Sequence, residues 1–213
     1  MTRALRTVVL VSGDGSNLQA ILDHAGAIDI SVTGVLSDRP GIRALERAAR
    51  ASVPAVTIDY AAAGSRPAFA ERLATALADL KPDLLVLAGF MRILDPGLVE
   101  AYRGRMLNVP PSLLPKYPGL HTYRRALTAG EREHGATVHF VIPELDAGPG
   151  ILQYRVAIRA GDTETSLRDR VRAGEHLIYP RALAWVAAGR AALKDGAVWL
   201  DGVRLEGPVV VDE

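Results

Sequence analysis

Short apolar runs alternate with stretches of helical period through the first hundred residues, and that alternation limits the chain to very few architectures. TVVLV (Thr7–Val11) is too short and too uniformly apolar for an amphipathic helix and reads as a buried strand. A turn, SGDGSN, then opens a helix from about Asn17 to Ala25. ISVTGVL (Ile30–Leu36) is a second strand, and Ile42, Leu45 and Ala49 mark one face of the helix that follows it. VPAVTI gives a short third strand. Phe69, Leu73, Leu77 and Leu80 then fall on one helical face, with Pro67 near its start and Pro82 just past its end. DLLVLAG (Asp83–Gly89) is a strand apolar on both faces. Strands of this kind, separated by helices, form parallel sheets through crossover connections. The expected class is α/β, and 213 residues suit a single domain, 1–213.

The second half departs from that rhythm. Asp95-Pro96 has the form of an N-cap and first helical residue, opening a short helix to about Tyr102, and RMLNV is the next strand. The following segment, LNVPPSLLPKYPGLHT, holds four prolines and cannot be helical, because each lacks an N–H and restricts the residue before it. GATVHFVI and ILQYRVAI flank the loop PELDAGPG and read as an antiparallel pair. A long helix starts near Thr163–Thr165 and continues past Tyr179, with Pro180 expected to kink it. AVWLDGVRL is a hairpin turning at Asp201-Gly202.

Charge and composition exclude more than they assign. The 25 basic and 24 acidic residues nearly cancel, so bulk electrostatics call for no nucleic-acid or membrane partner. Without cysteine there is neither disulfide nor thiol chemistry. The start, MTRALRTVVLVSGDG, reaches charge and glycine too early for a signal peptide, and no apolar run is long enough to cross a bilayer. The expectation is a soluble cytoplasmic protein.

Several residues stand where chemistry could occur. SGDGSN follows a strand and opens a helix, so its backbone N–H groups can either receive a phosphate or simply make a tight turn; Asp14 within it disfavours an anion. GFMRIL lies past the end of a central strand, where α/β sheets bind ligands. Phe90, Met91, Ile93 and Leu94 could wall an apolar slot with Arg92 as its cation, although Met91 and Ile93, taken singly, read as ordinary packing. Asn108 ends its strand as either a structural amide or a donor to an oxyanion. Asp146, on the loop between paired strands, is either an exposed turn residue or a carboxylate beside a proton-transferring amine. Glu175 shares a helical stripe with Leu167, Val171 and Ile178, so it needs a partner or a pocket if that stripe is buried, and is otherwise solvated. His121, His134 and His139 show no metal-binding spacing, and no metal is expected.

Taken together and in order, VSGDGSNLQAIL, LAGFMRIL, LNVPPSLLPKYPGLHT, HGATVHFV, ELDAGPGILQ and EHLIYP resemble the folate-dependent phosphoribosylglycinamide formyltransferases of purine biosynthesis, over roughly Val8 to Leu205. The resemblance implies a Rossmann-like formyltransferase fold, a mostly parallel central sheet with an antiparallel C-terminal part, flanked by helices. It implies a phosphoribosyl-substrate half (1–100) and a folate-binding and catalytic half (101–213). The formyl donor would be 10-formyltetrahydrofolate and the acceptor the amine of glycinamide ribonucleotide, in a monomer or homodimer. The substrate phosphate would fall to Gly13, Asp14, Gly15, Ser16 and Asn17, with Arg172 nearby and Glu175 on the ribose hydroxyls. Arg92, Ile93 and Leu94 would hold the folate together with Asn108 and Asp146, these last two also being catalytic. Thr137 would support the aspartate, and His139, on the same strand face, is a candidate stand-in for a missing group.

That group is a histidine. The family motif reads Asn-x-His-Pro-Ser-Leu-Leu-Pro, and here it reads Asn108-Val109-Pro110-Pro111-Ser112-Leu113-Leu114-Pro115. Pro110 has no side-chain proton to exchange. Tyr123 is a second departure, at a position where many members carry histidine. Three accounts of Pro110 stay open: an enzyme running on Asn108, Asp146 and water at reduced rate; a binding protein that retains the ligand sites; and a substitution foreign to the natural chain. A formyltetrahydrofolate deformylase is the alternative enzyme. Leu114-Pro115 is expected to be cis by the same resemblance.

Overall fold

The computed structural model describes residues 3–213. Eight strands form one sheet in the order β11-β7-β6-β5-β4-β1-β2-β3. The first half is a parallel unit of β1 (Leu5–Val11), β2 (Ile30–Ser37), β3 (Ala55–Thr57) and β4 (Leu84–Leu87). These strands are linked by α1 (Ser16–His24), α2 (Arg43–Arg50) and α3 (Arg66–Leu80). The near-uniform apolarity of β1 and β4 has a direct cause. Val9, Val11, Leu84 and Val86 face a core closed by α1, α2 and the long C-terminal helix α6 (Glu164–Ala187). Val8, Leu10, Leu85 and Leu87 face a second core under α3 and α4 (Pro96–Ala101). A strand buried on both faces has no polar side to alternate with. Truncating one such residue, as in Leu85→Ala, should cost about 2–5 kcal/mol.

β5 (Met106–Asn108) continues the parallel order beside β4, after which β6 (Glu133–Phe140) and β7 (Gly150–Ala157) pair antiparallel, as the sequence predicts. α3 and α4 carry side-chain caps, Ser65 to the Ala68 N–H and Asp95 to the N–H groups of Gly97 and Leu98. α6 begins at Thr163 with a reciprocal capping box to Ser166 and runs through Pro180 as one helix to Ala187. Its Tyr179 hydroxyl lies 3.0 Å from the carbonyls of both Leu87 and Leu107, fixing α6 over the ends of β4 and β5.

Three elements go beyond the sequence reading. α5 (Thr122–Thr128) follows the proline segment directly, and β11 (Val209–Asp212) adds a parallel strand to β7 at the sheet edge. β8 (Ala191–Lys194) pairs with β9 (Ala197–Leu200) and β9 with β10 (Val203–Arg204), making a separate three-stranded sheet. Both of its turns are Asp-Gly, at Asp195-Gly196 and Asp201-Gly202, with positive φ at all four residues, the geometry that suits two-residue hairpins. Among the described residues no helix is long and apolar enough to cross a membrane.

Candidate active site

The carboxyl ends of parallel strands β1, β4 and β5 and the loops after them surround a cleft of about 520 Å³. Asn17, Arg92, Ile93, Asn108, Pro110, Asp146 and Glu175 all line it. Residues from five separate stretches of sequence are thus brought to one place, where open α/β sheets bind ligands.

One polar set is built from α1 and α6. Glu175 lies in the buried stripe with Leu167, Val171 and Ile178, all four being less than one-tenth exposed. Its Oε2 accepts a 2.7 Å hydrogen bond from Asn17 Nδ2. Burial pushes the carboxyl up to about 7, against the lowering effects of the Asn17 bond and the Arg172 charge. Asn17 Oδ1 is buried without a hydrogen-bond partner, leaving an acceptor for a ligand hydroxyl or amine. Before Asn17 the chain turns through Gly13, Asp14 and Gly15, and Gly15 N-caps α1 with φ 75° and no side-chain bond. The N–H groups of the first turn, from Ser16 onward, are therefore open to an anion. The Asp14 carboxylate, adverse to such an anion, is taken up by Arg43 and Arg47 at 3.2 Å each. Arg172 is half-exposed and pairs with Asp169 at 3.3 Å.

The second polar set surrounds Asp146. Its Oδ2 accepts the Gly119 N–H at 2.8 Å, and Oδ1 lies 3.4 Å from Asn108 Nδ2. His139, opposite Asn108 in the β5–β6 register, has Nε2 3.8 Å from Asp146 Oδ1, beyond hydrogen-bond range. Its Nδ1 is 2.9 Å from the Phe140 carbonyl, which fixes the proton on Nδ1 and leaves Nε2 a buried, unpartnered acceptor. Burial holds the His139 imidazole below its usual pKa, against the Phe140 bond and the Asp146 charge, so the ring is neutral. Pro110 is buried in the cleft wall, and its carbonyl accepts the N–H groups of Ser112 at 2.9 Å and Thr137 at 3.1 Å. The Leu114–Pro115 bond is cis.

Some expectations need correction. Thr137 makes no hydrogen bond to Asp146; its hydroxyl donates to the Ser112 carbonyl at 2.6 Å and accepts from the Leu114 N–H at 3.1 Å. It braces the proline segment instead. Leu94 faces away from the cleft and is buried in the core under α3. Met91 and Ile93, read singly as packing, are each 59% exposed and stand at the cleft mouth with Leu120 and Leu145. Leu120, Leu145, Gly119 and His121 also line the cleft, and their only common sequence signal is the glycine and proline content of the loops that carry them. His134 is buried and pushed down to about 4 by that burial, so it stays neutral outside the cleft. Among the described residues no group of three metal-ligating side chains occurs.

The sequence profile of the formyl transferase family matches residues 5–183. The phosphoribosylglycinamide formyltransferase of Escherichia coli strain K12 is 49% identical over 203 residues, covering 94% of this chain and 96% of that protein. Among solved structures, the phosphoribosylglycinamide formyltransferase of Coxiella burnetii superimposes with a TM-score of 0.91 at 45% identity, covering 96% of this chain and 99% of that one. A formyltetrahydrofolate deformylase from Pseudomonas syringae pv. tomato gives 0.86 at 25% identity, covering 93% of this chain and 66% of its own.

Proposed function

The chain belongs to the formyl transferase family, and from that premise we propose that it moves the formyl group of 10-formyltetrahydrofolate to the amine of glycinamide ribonucleotide in purine biosynthesis. It is a folate-dependent formyltransferase. The observation that carries the choice of acceptor is the pairing of Glu175 with Asn17 in the same cleft as Asn108 and Asp146. A deformylase needs only water as acceptor and has no use for a buried carboxylate beside an open helix N-terminus. Gly13, Asp14, Gly15 and Ser16 offer backbone N–H groups to the phosphate, Arg172 adds charge near it, and Glu175 takes the ribose hydroxyls. Arg92 and Ile93 lie on the folate side.

The reaction is acyl transfer. The substrate amine attacks the formyl carbon, the carbonyl oxygen becomes an oxyanion, and the bond from that carbon to the folate nitrogen then breaks. The amine loses a proton and the folate nitrogen gains one. Asn108 Nδ2 donates to the oxyanion, which a preorganised amide does without rearrangement. Asp146, held by the Gly119 N–H and near Asn108, accepts the amine proton. No side-chain proton is available at Pro110, so the proton taken up by Asp146 returns to the folate nitrogen by way of water, and the rate is reduced accordingly.

The chain works as one unit, 1–213. Residues 1–100 contain the phosphate loop and 101–213 contain Asn108 and Asp146, yet the division belongs to the sequence rather than to the ligands. Glu175 reaches back to Asn17, and Arg92 comes from the first half. The assembly is a monomer or a homodimer. A role in purine biosynthesis, as in the relatives, supports a cytoplasmic location.

Two measurements test this reading. Calorimetric titration with glycinamide ribonucleotide should give one site per chain, weakened about tenfold or more by Glu175→Ala, which removes hydrogen bonds made by a buried charge-capable group. Mass spectrometry after incubation with both substrates should show the ribonucleotide gaining a formyl group. A folded protein that binds no ribonucleotide, or that yields only formate, contradicts the proposal.

A further inference from the structure

Strands β2, β1 and β4 are neighbours, and the residues just past their carboxyl ends meet. Asp38 follows β2, Ser12 follows β1, and Met91 and Arg92 lie shortly after β4. The Ser12 hydroxyl accepts the Met91 N–H at 2.8 Å. Arg92 Nε donates to Asp38 Oδ2 at 2.6 Å, and the guanidinium carbon sits 4.0 Å from the centroid of the Tyr60 ring. The Asp38 side chain is wholly buried, while that of Arg92 is 30% exposed. Arg39 reaches the other Asp38 oxygen at 3.4 Å from the solvent side.

A buried carboxylate is costly unless it is paired and hydrogen-bonded, and Asp38 obtains its shortest pairing from a residue of the cleft wall. The two contacts on Arg92 restrain different motions. The Nε bond sets the direction of the guanidinium, and the Tyr60 face sets its plane. Neither uses the terminal nitrogens: among the described residues no hydrogen bond is made by Nη1 or Nη2 of Arg92, and Arg92 lines the cleft. A long side chain held this way has already lost rotamer freedom that a ligand would otherwise have to remove.

We propose that Asp38, backed by Tyr60, is a positioning residue for folate binding, holding the Arg92 guanidinium in the cleft wall with both terminal nitrogens free for the formyl donor. The assignment rests on the reading of this cleft as the folate site. Asp38 reaches the folate side through Arg92, its other partners being Ser12 and Arg39, so its removal should weaken folate binding well beyond any effect on the ribonucleotide, whose groups meet α1 and α6.

The test is a double-mutant cycle on the full-length protein, titrated calorimetrically with 10-formyltetrahydrofolate alone, so that catalytic rate does not enter. Asp38→Asn should weaken folate binding about tenfold and Arg92→Met by at least as much; the double variant should be no weaker than Arg92→Met alone. Ribonucleotide affinity should stay within about twofold throughout, since the ribonucleotide groups lie elsewhere. Tyr60→Leu, which disturbs no buried charge, should weaken folate binding about threefold and add nothing to Arg92→Met, and it decides the matter if Asp38→Asn does not fold. Additive losses, equal losses for both substrates, or unchanged folate affinity in folded Asp38→Asn would overturn the proposal. A wild-type protein that binds no folate at all would remove the formyl-transfer reading with it.

Discussion

Position 110 lines the cleft two residues from Asn108, and its only hydrogen-bonding group is a carbonyl already engaged with Ser112 and Thr137. The cleft therefore holds the Asn108 amide, proposed above as the oxyanion donor, and the Asp146 carboxylate, but lacks the titratable side chain that the family motif puts between them. Proton transfer by a positioned side chain contributes about 10²–10⁴ in rate. Pro110→His should raise kcat at least about tenfold, the lower bound allowing for imperfect placement, and leave KM values little changed because the group acts in the transition state. Steady-state kinetics on both proteins checks this, with Asp146→Asn expected to remove activity in either background. His139 is a weak substitute: its Nε2 is buried, its ring neutral, and Asp146 is 3.8 Å away. Glu175 gives a pH prediction. Its carboxyl, raised by burial from 4.5 to about 7, keeps its proton in the folded protein at pH values where the unfolded chain has lost it. Stability is thus lost as pH rises from about 4.5 to 7, by up to roughly 3 kcal/mol. Glu175→Gln, still able to accept from Asn17, should match wild type near pH 4 and exceed it increasingly toward pH 7 in denaturant titrations without ligand. A pH-independent difference would contradict the assignment. Glu175 could be picked out in the sequence because a carboxylate interrupts an apolar stripe. The role of Thr137 could not, because the groups it bonds, Ser112 and Leu114, are 25 and 23 residues away.

The elements that were legible are those whose signal is local. Strands buried on both faces read as unbroken apolar runs, α3 and α4 announce themselves by cap and proline, and Asp201-Gly202 dictates its own turn. α5 was not legible, being seven residues long, preceded by His121 at φ 58° and lacking a side-chain cap. β11 is an edge strand of four residues defined by its partner β7 rather than by its own pattern. Two elements carry predictions. A Cβ at Gly15 would come 2.7 Å from Ala44 Cβ, at a φ of +75°. Gly15→Ala should therefore cost about 2 kcal/mol or more, combining left-handed strain with the displacement of α2. Ribonucleotide binding should weaken with it while folate binding holds, as paired titrations would reveal. Tyr179→Phe removes the donor between the Leu87 and Leu107 carbonyls. It should lower stability by about 1–3 kcal/mol, read as a lower denaturant midpoint at unchanged slope.

At the scale of the molecule, the sheet explains why the site exists where it does. β1, β4 and β5 run parallel and end together, so loops distant in sequence converge at one edge. The antiparallel turn of β6 and β7 then brings Asp146 back to Asn108, while α6, anchored by Tyr179, carries Glu175 to Asn17. The class of fold and most of the cleft residues could be read from motifs in order along the chain. What joins them across the sheet, such as Asp38 to Arg92 over 54 residues, has no sequence period and needed the three-dimensional structure. Because both polar sets open into one cleft, formyl release should depend on the acceptor. The most direct measurement is the rate of tetrahydrofolate formation from 10-formyltetrahydrofolate, taken with and without glycinamide ribonucleotide. A slow rate that appears only with the ribonucleotide, and saturates with it, is what this account predicts; release at the same rate without the ribonucleotide, or none with both substrates bound, would contradict it.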